Sequence, residues 1–135
     1  MASSWENAKV GDSNMRVYIS RPEGSQPSPA VVVVQGQTGV QDFIKFSDFA
    51  AQNGLVAAAP DLYHRDPPDC QDDPPTRRMR LRDASVIQDL DATVDFLKSR
   101  KSVDPSRIGI VGFWMGGRIV YLLSAINRDI TAGEM

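Results

Sequence analysis

The stretch Arg107-Ile-Gly-Ile-Val-Gly-Phe-Trp-Met-Gly-Gly-Arg118 leaves few folds open to this chain. Apolar residues and glycines run up to Gly112, and an apolar segment of helical length, Ile119 to Ile126, follows Arg118. A buried strand, a tight corner and a buried helix are expected in that order. Gly112, Gly116 and Gly117 suit a corner where side chains would collide with the crossing backbone. At the centre of Gly112-Phe-Trp-Met-Gly116 stands Trp114.

Earlier segments supply the rest of a layered domain. Met15 to Ser20 alternates and is rich in β-formers, so it is expected to be an antiparallel edge strand. Arg21 to Pro29, with its prolines and Gly24, reads as a loop. Ala30 to Val34 is a β-branched run suited to a strand covered on both faces, and it opens into the loop Gln35-Gly-Gln-Thr-Gly39. Phe43, Ile44, Phe46, Phe49 and Ala50 have helical spacing, closed by Asn53-Gly54. Leu55 to Ala59 reads as a short buried strand, and Tyr63 to Thr76 as an acidic, proline-rich loop. A helix starting near Met79 or Ser85 carries Val86, Ile87, Leu90, Val94 and Leu97 on one stripe. Val103-Asp104-Pro105 is expected to turn the chain into the Ile108 strand, and Asp129 to Met135 to begin a further one. This order predicts an α/β domain, a mostly parallel sheet flanked by helices on both faces. Ligands in such sheets sit beyond the carboxyl ends of the strands. The loops Gln35 to Gly39, Asp61 to Asp66 and Gly112 to Gly117 should therefore meet at one cleft.

Composition narrows the function classes. The 135 residues fit a single domain, 1–135, and 41% of them are hydrophobic, which argues against disorder. A formal charge of −2 gives no reason to expect nucleic acid or an anionic membrane as partner. One cysteine, Cys70, excludes an internal disulfide and suits a reducing compartment. No signal-peptide core or membrane-length run is visible, so the cytoplasm is the expected location. A dinucleotide-binding loop needs G-x-G-x-x-G, which neither Gly109, Gly112 and Gly116 nor Gly36 and Gly39 satisfy. A phosphate-binding loop needs Lys-Ser/Thr after its glycines, but Gly39 is followed by Val40-Gln41.

From about Pro29 to Ala125 the chain resembles the dienelactone hydrolase family of α/β-hydrolases. The resemblance rests on several segments in order: the Val31–Val34 run leading to Gly39-Val40, Ala59-Pro-Asp-Leu-Tyr-His64, Asp89-Leu-Asp-Ala-Thr-Val-Asp-Phe-Leu97, and Val103 through Arg118. It implies a Cys-His-Asp triad that hydrolyses small ester or lactone substrates, many bearing a carboxylate. The nucleophile stands at the elbow centre, and two backbone N–H groups hold the oxyanion. On this chain the nucleophile position falls on Trp114 and the oxyanion donors on Met115 and about Gln37. A glutamate of the family falls on Gly36. The triad's Asp and His belong to the family's C-terminal half. The expectation is a truncated α/β-hydrolase fold lacking its C-terminal strands, inactive as it stands because indole is no nucleophile. The rival is a non-enzymatic module that binds a ligand or a partner. A complementary chain or a homo-oligomer would then cover the open sheet edge. Neither cofactor nor metal is expected.

Trp114 is expected to line the cleft as a platform, or to be a replacement that abolishes reactivity, or to pack; in each case it should strain or relax the turn. Gly36, Tyr63, His64 and Arg80 are cleft candidates. For His64 a surface loop position is the plainer expectation. Cys70 lies between Asp69 and Asp72, which oppose a further negative charge, so an inert loop cysteine is expected. Asp66, Asp69, Asp72 and Asp73 lack the ordered spacing of a calcium loop. Arg77, Arg78, Arg80 and Arg82 suggest carboxylate binding by family analogy, against a solvated or Asp-paired helix start. Arg118 is expected to be a structural ion-pair partner.

Overall fold

The computed structural model describes residues 1–135. Six strands form one mixed sheet: β1 (Ala2–Val10), β2 (Ser13–Arg21), β3 (Ser28–Val34), β4 (Val56–Pro60), β5 (Val103–Gly112) and β6 (Ile130–Glu134). The order across the sheet is β1-β2-β4-β3-β5-β6. The β1/β2 and β2/β4 pairs are antiparallel, whereas β3 runs parallel to β4 and β5, and β5 to β6. A 3-10 turn, Val40–Phe43, leads into α1 (Ile44–Gln52); α2 (Pro74–Arg80), α3 (Asp83–Lys98) and α4 (Met115–Ile126) complete the fold.

The two-sided apolar strands have two separate cores to fill. Val32, Val34, Val56, Ala58, Ile108 and Ile110 pack with Leu90, Val94 and Leu97 of α3 and Ile119, Val120 and Leu123 of α4. The alternate residues Val33, Ala57, Ala59 and Val111 pack with Phe43 and Ala50 on the opposite face. This is why the β3 and β4 sequences show no polar alternation. Each fully buried Leu or Val on α3 contributes about 1.5–3 kcal/mol by leaving water. No helix is long and apolar enough to cross a membrane.

Several sequence expectations need correction. Met15 to Ser20 is not an edge: β1 pairs with β2 along its whole length, and β1 is the edge. β1 is mostly polar and buries only Ala8 and Val10. The signal for it was Gly11-Asp12, a two-residue link with Gly11 at φ 57° that joins Val10 to Ser13 as a hairpin. The cross-strand pair Trp5–Tyr18 meets edge-to-face at 5.2 Å, with the Arg16 guanidinium 4.3 Å above the indole. The loop after Tyr63 ends sooner than expected, at α2. Asp73 caps that helix by accepting from Thr76 N–H at 2.9 Å, and two prolines occupy its first turn. Leu81 and Arg82 are extended and separate α2 from α3. Val103 to Pro105 belongs to β5 rather than a turn, since Val103 already pairs with Ser28 across a register shift.

Candidate active site

β5 ends at Gly112 and α4 begins at Met115, so only Phe113 and Trp114 make the corner. The closeness of its backbones explains the glycines. A Cβ on Gly112 would lie 2.6 Å from the Gly116 carbonyl group, and one on Gly116 would lie 2.6 Å from Val34 O and 2.9 Å from Gln35 O. Phe113 is clamped by rings of the opposite loop and helix, stacked on Phe43 at 6.3 Å and edge-on to Phe46 at 5.9 Å. With its neighbours fixed, Trp114 adopts φ 53°, ψ −113°, the chain's one non-glycine residue at positive φ. The indole is 89% exposed. A non-glycine residue held there costs about 1–3 kcal/mol. Trp114→Gly removes that strain while loosening the unfolded chain. A net gain of about 1 kcal/mol is expected, read as a higher urea midpoint at unchanged slope.

The corner faces a cavity of about 620 Å³ lined by Gly36, Gln37, Thr38, Asp42, Phe43, Arg78, Trp114 and Met115. Its first-loop wall is held in shape. Gly39 N–H donates to Gly36 O at 3.2 Å, with Gly39 at φ 111°. Thr38 Oγ1 donates to the Asp42 carboxylate. The Tyr63 hydroxyl donates to Gln37 O at 2.7 Å. Burial raises the Tyr63 phenol above its ordinary pKa despite the Arg77 guanidinium 4.4 Å over its ring, so it stays a donor. Gln35, unremarked in the sequence, is fully buried at the end of β3. Its Oε1 accepts from Leu62 N–H at 2.8 Å and its Nε2 donates to Gly36 O at 3.3 Å, tying β3 to the loop after β4.

The second loop does not join this cavity. Tyr63 and His64 border a neighbouring polar cavity of about 540 Å³ with Arg16, Asp61, Asp66 and Arg77, which shares only Thr38 with the first. Nor is His64 a surface side chain: it is 3% exposed. Its Nε2 lies 3.0 Å from Asp89 Oδ1, while Arg65 approaches both Asp89 oxygens at 2.9 and 2.8 Å. Asp89 is wholly buried. The acid sits on α3, 25 residues along, a separation no local pattern reveals.

Arg80 is also displaced from the cleft. It bonds Asp72 at 2.7 Å and Asp66 at 3.2 Å, and Arg77 bonds Asp66 at 2.8 Å. Burial opposes ionisation of Asp66, but the Arg77 and Arg80 hydrogen bonds prevail and hold its carboxyl below the usual range. Arg78 is the member of this run that borders the cavity, and it has no acid within salt-bridge distance. Cys70 is half-buried, 3.6 Å from both Asp72 and Arg80, and away from the cavity. Arg118 makes a two-pronged bridge to Asp83 at 2.9 Å.

A mixed sheet whose strand runs through a glycine-lined corner into a buried helix, with a positive-φ residue exposed at the tip, is the architecture of an α/β-hydrolase. More narrowly, the chain belongs to the dienelactone hydrolase family, whose pattern matches residues 15–133. It is 36% identical over 133 residues to the "Putative carboxymethylenebutenolidase" of Methylorubrum extorquens, an alignment covering 90% of this chain and 44% of that protein. The Escherichia coli protein of the same name is 38% identical over 126 residues, with 88% and 46% covered. A crystal structure titled as a putative dienelactone hydrolase of Klebsiella pneumoniae superposes with a TM-score of 0.83 at 34% identity, covering 98% of this chain and 59% of that one. The chain thus spans less than half the length of these two curated relatives.

Proposed function

We propose that this chain forms the oxyanion and substrate cleft of a small-ester or lactone hydrolase fold but supplies no nucleophile. The observation that carries the proposal is the indole of Trp114 at the tip of the strained corner, where the family reaction needs a thiolate. That reaction adds the nucleophile to the carbonyl carbon while backbone N–H groups hold the developing oxyanion. Met115 at the first turn of α4, where N–H groups lack helical partners, and Gln37 across the cavity are the proposed donors. These are main-chain groups and survive replacement of the side chain between them. Arg78, unpaired at the cavity wall, is the proposed partner for a substrate carboxylate. A Bradyrhizobium relative, 30% identical over 128 residues that cover 51% of its length, bears the name "Probable 2-oxo-3-(5-oxofuran-2-ylidene)propanoate lactonase", which agrees with a carboxylate-bearing lactone. Neither remaining candidate replaces the thiolate: His64 Nε2 is engaged by Asp89, and Cys70 does not border the cavity.

The assay uses 4-nitrophenyl acetate and intact-mass spectrometry. Wild-type protein is expected to release nitrophenol at the uncatalysed rate. On a Cys70→Ala background, Trp114→Cys at about pH 9, where a free thiol is largely ionised, is expected to retain a single acyl group without turning over. Turnover that persists in Trp114→Ala and Cys70→Ala sinks the inactivity, and absence of the acyl adduct sinks the oxyanion cleft.

A further inference from the structure

We propose that the cleft at the corner binds a planar aromatic carboxylate, its ring stacked on the Trp114 indole and its carboxylate held by Arg78. The inference rests on the proposed cleft, but not on the absence of catalysis. Three independent features meet there. The chain's other tryptophan has partners within the fold, Trp5 meeting Tyr18 at 5.2 Å and Arg16 at 4.3 Å, and is 37% exposed. No ring or guanidinium of the chain covers Trp114, although its strained backbone holds it out at 89% exposure. A large apolar face presented at a cost in backbone strain, without an internal contact to offset it, suits a ligand that stacks.

The second feature is Arg78. Its neighbours Arg77 and Arg80 are bound by Asp66 and Asp72, whereas Arg78 has no acid partner and borders the same cavity as the indole. A guanidinium offers parallel N–H donors matched to a carboxylate. The cavity's acid, Asp42, already accepts from Thr38 Oγ1. The third feature is size and character: about 620 Å³, within the usual range for small-molecule sites of about 300–1,000 Å³, with the Phe43 ring as a further apolar wall. The indole, the Phe43 ring and Arg78 line the same cavity, so a flat ring has apolar walls and the guanidinium gives it direction.

Trp5→Phe leaves Trp114 as the only tryptophan, so its fluorescence reports the site directly. Titration with 4-nitrobenzoate is expected to quench this emission along a saturating curve. Arg78→Ala should weaken 4-nitrobenzoate by about tenfold or more, the worth of a charge-assisted pair, and leave neutral nitrobenzene unchanged. Cyclohexanecarboxylate should compete at least about tenfold more weakly, because a saturated ring cannot stack. Equilibrium dialysis of 4-nitrobenzoate against Trp114→Ala, a substitution at a solvent-exposed side chain, is expected to show a loss of similar size. Linear, unsaturating quenching overturns the proposal. So does equal competition by the saturated acid, or no change in Arg78→Ala. A chain that hydrolyses esters yet passes these tests overturns the inactivity alone. One that neither acylates as Trp114→Cys nor binds 4-nitrobenzoate overturns the cleft itself.

Discussion

Gly116→Ala is expected to destabilise the protein by more than about 3 kcal/mol, the upper end of overpacking costs. The added Cβ would sit 2.6 Å from Val34 O and 2.9 Å from Gln35 O, and both obstacles are main chain. A side chain could rotate away, but these carbonyls belong to the end of β3 and the loop held by the buried Gln35. Relief therefore requires α4 to move off the sheet, which opens the packing of Ile119, Val120 and Leu123. Gly117→Ala is the matched control. Its new Cβ would meet nothing nearer than 3.6 Å, and φ there is not positive. Within α4, Ala replaces Gly with a propensity gain of up to about 1 kcal/mol, so this variant should be neutral or slightly stabilised. Urea midpoints for both variants decide the matter; equal behaviour of the two glycines would show that the corner is not the tight contact described.

Asp89→Ala is expected to cost about 2–4 kcal/mol, somewhat less than the 3–5 kcal/mol typical when a fully buried ion pair is broken. Asp89 is completely buried and joins His64 and Arg65 to α3. Arg65 is 38% exposed and can return to water, which reduces the loss. The His64 ring, 3% exposed, cannot, and its Nδ1 already lacks a partner, so removing the acid leaves both ring nitrogens unsatisfied in the interior. Asp89→Asn retains an oxygen acceptor and should lose less. The loop after β4 should open first, seen as faster amide exchange around Leu62 to Asp66 than in the strands. Uniform exchange across the chain, or an unchanged midpoint for Asp89→Ala, would show that Asp89 does not hold the loop after β4 to α3.

The parts of the fold legible in the sequence are those governed by local periodicity. Ala30 to Val34 and Leu55 to Ala59 announce strands covered on both sides because every residue is apolar. The α3 stripe appears because Val86, Leu90, Val94 and Leu97 recur at the helical repeat. β1 escaped because its residues are mostly polar and its place is set by pairing with β2, a tertiary hydrogen-bonding partner that propensity does not encode. The arginines of α2 show the same division. Their number and spacing are local facts, but which one faces the cavity depends on where Asp66 and Asp72 fall after the loop has folded.

Sequence alone determined the sharp corner at Gly112 to Gly117 and the indole at its tip, because glycine spacing and the chemistry of a side chain are properties of the chain itself. Only the tertiary structure decided that His64 lies buried against Asp89, that Arg78 rather than Arg80 borders the cavity, and that Trp114 stands uncovered there. Those outcomes turn on burial and on contacts between segments tens of residues apart. Such contacts are fixed by how the helices pack on the sheet, and no local pattern carries them.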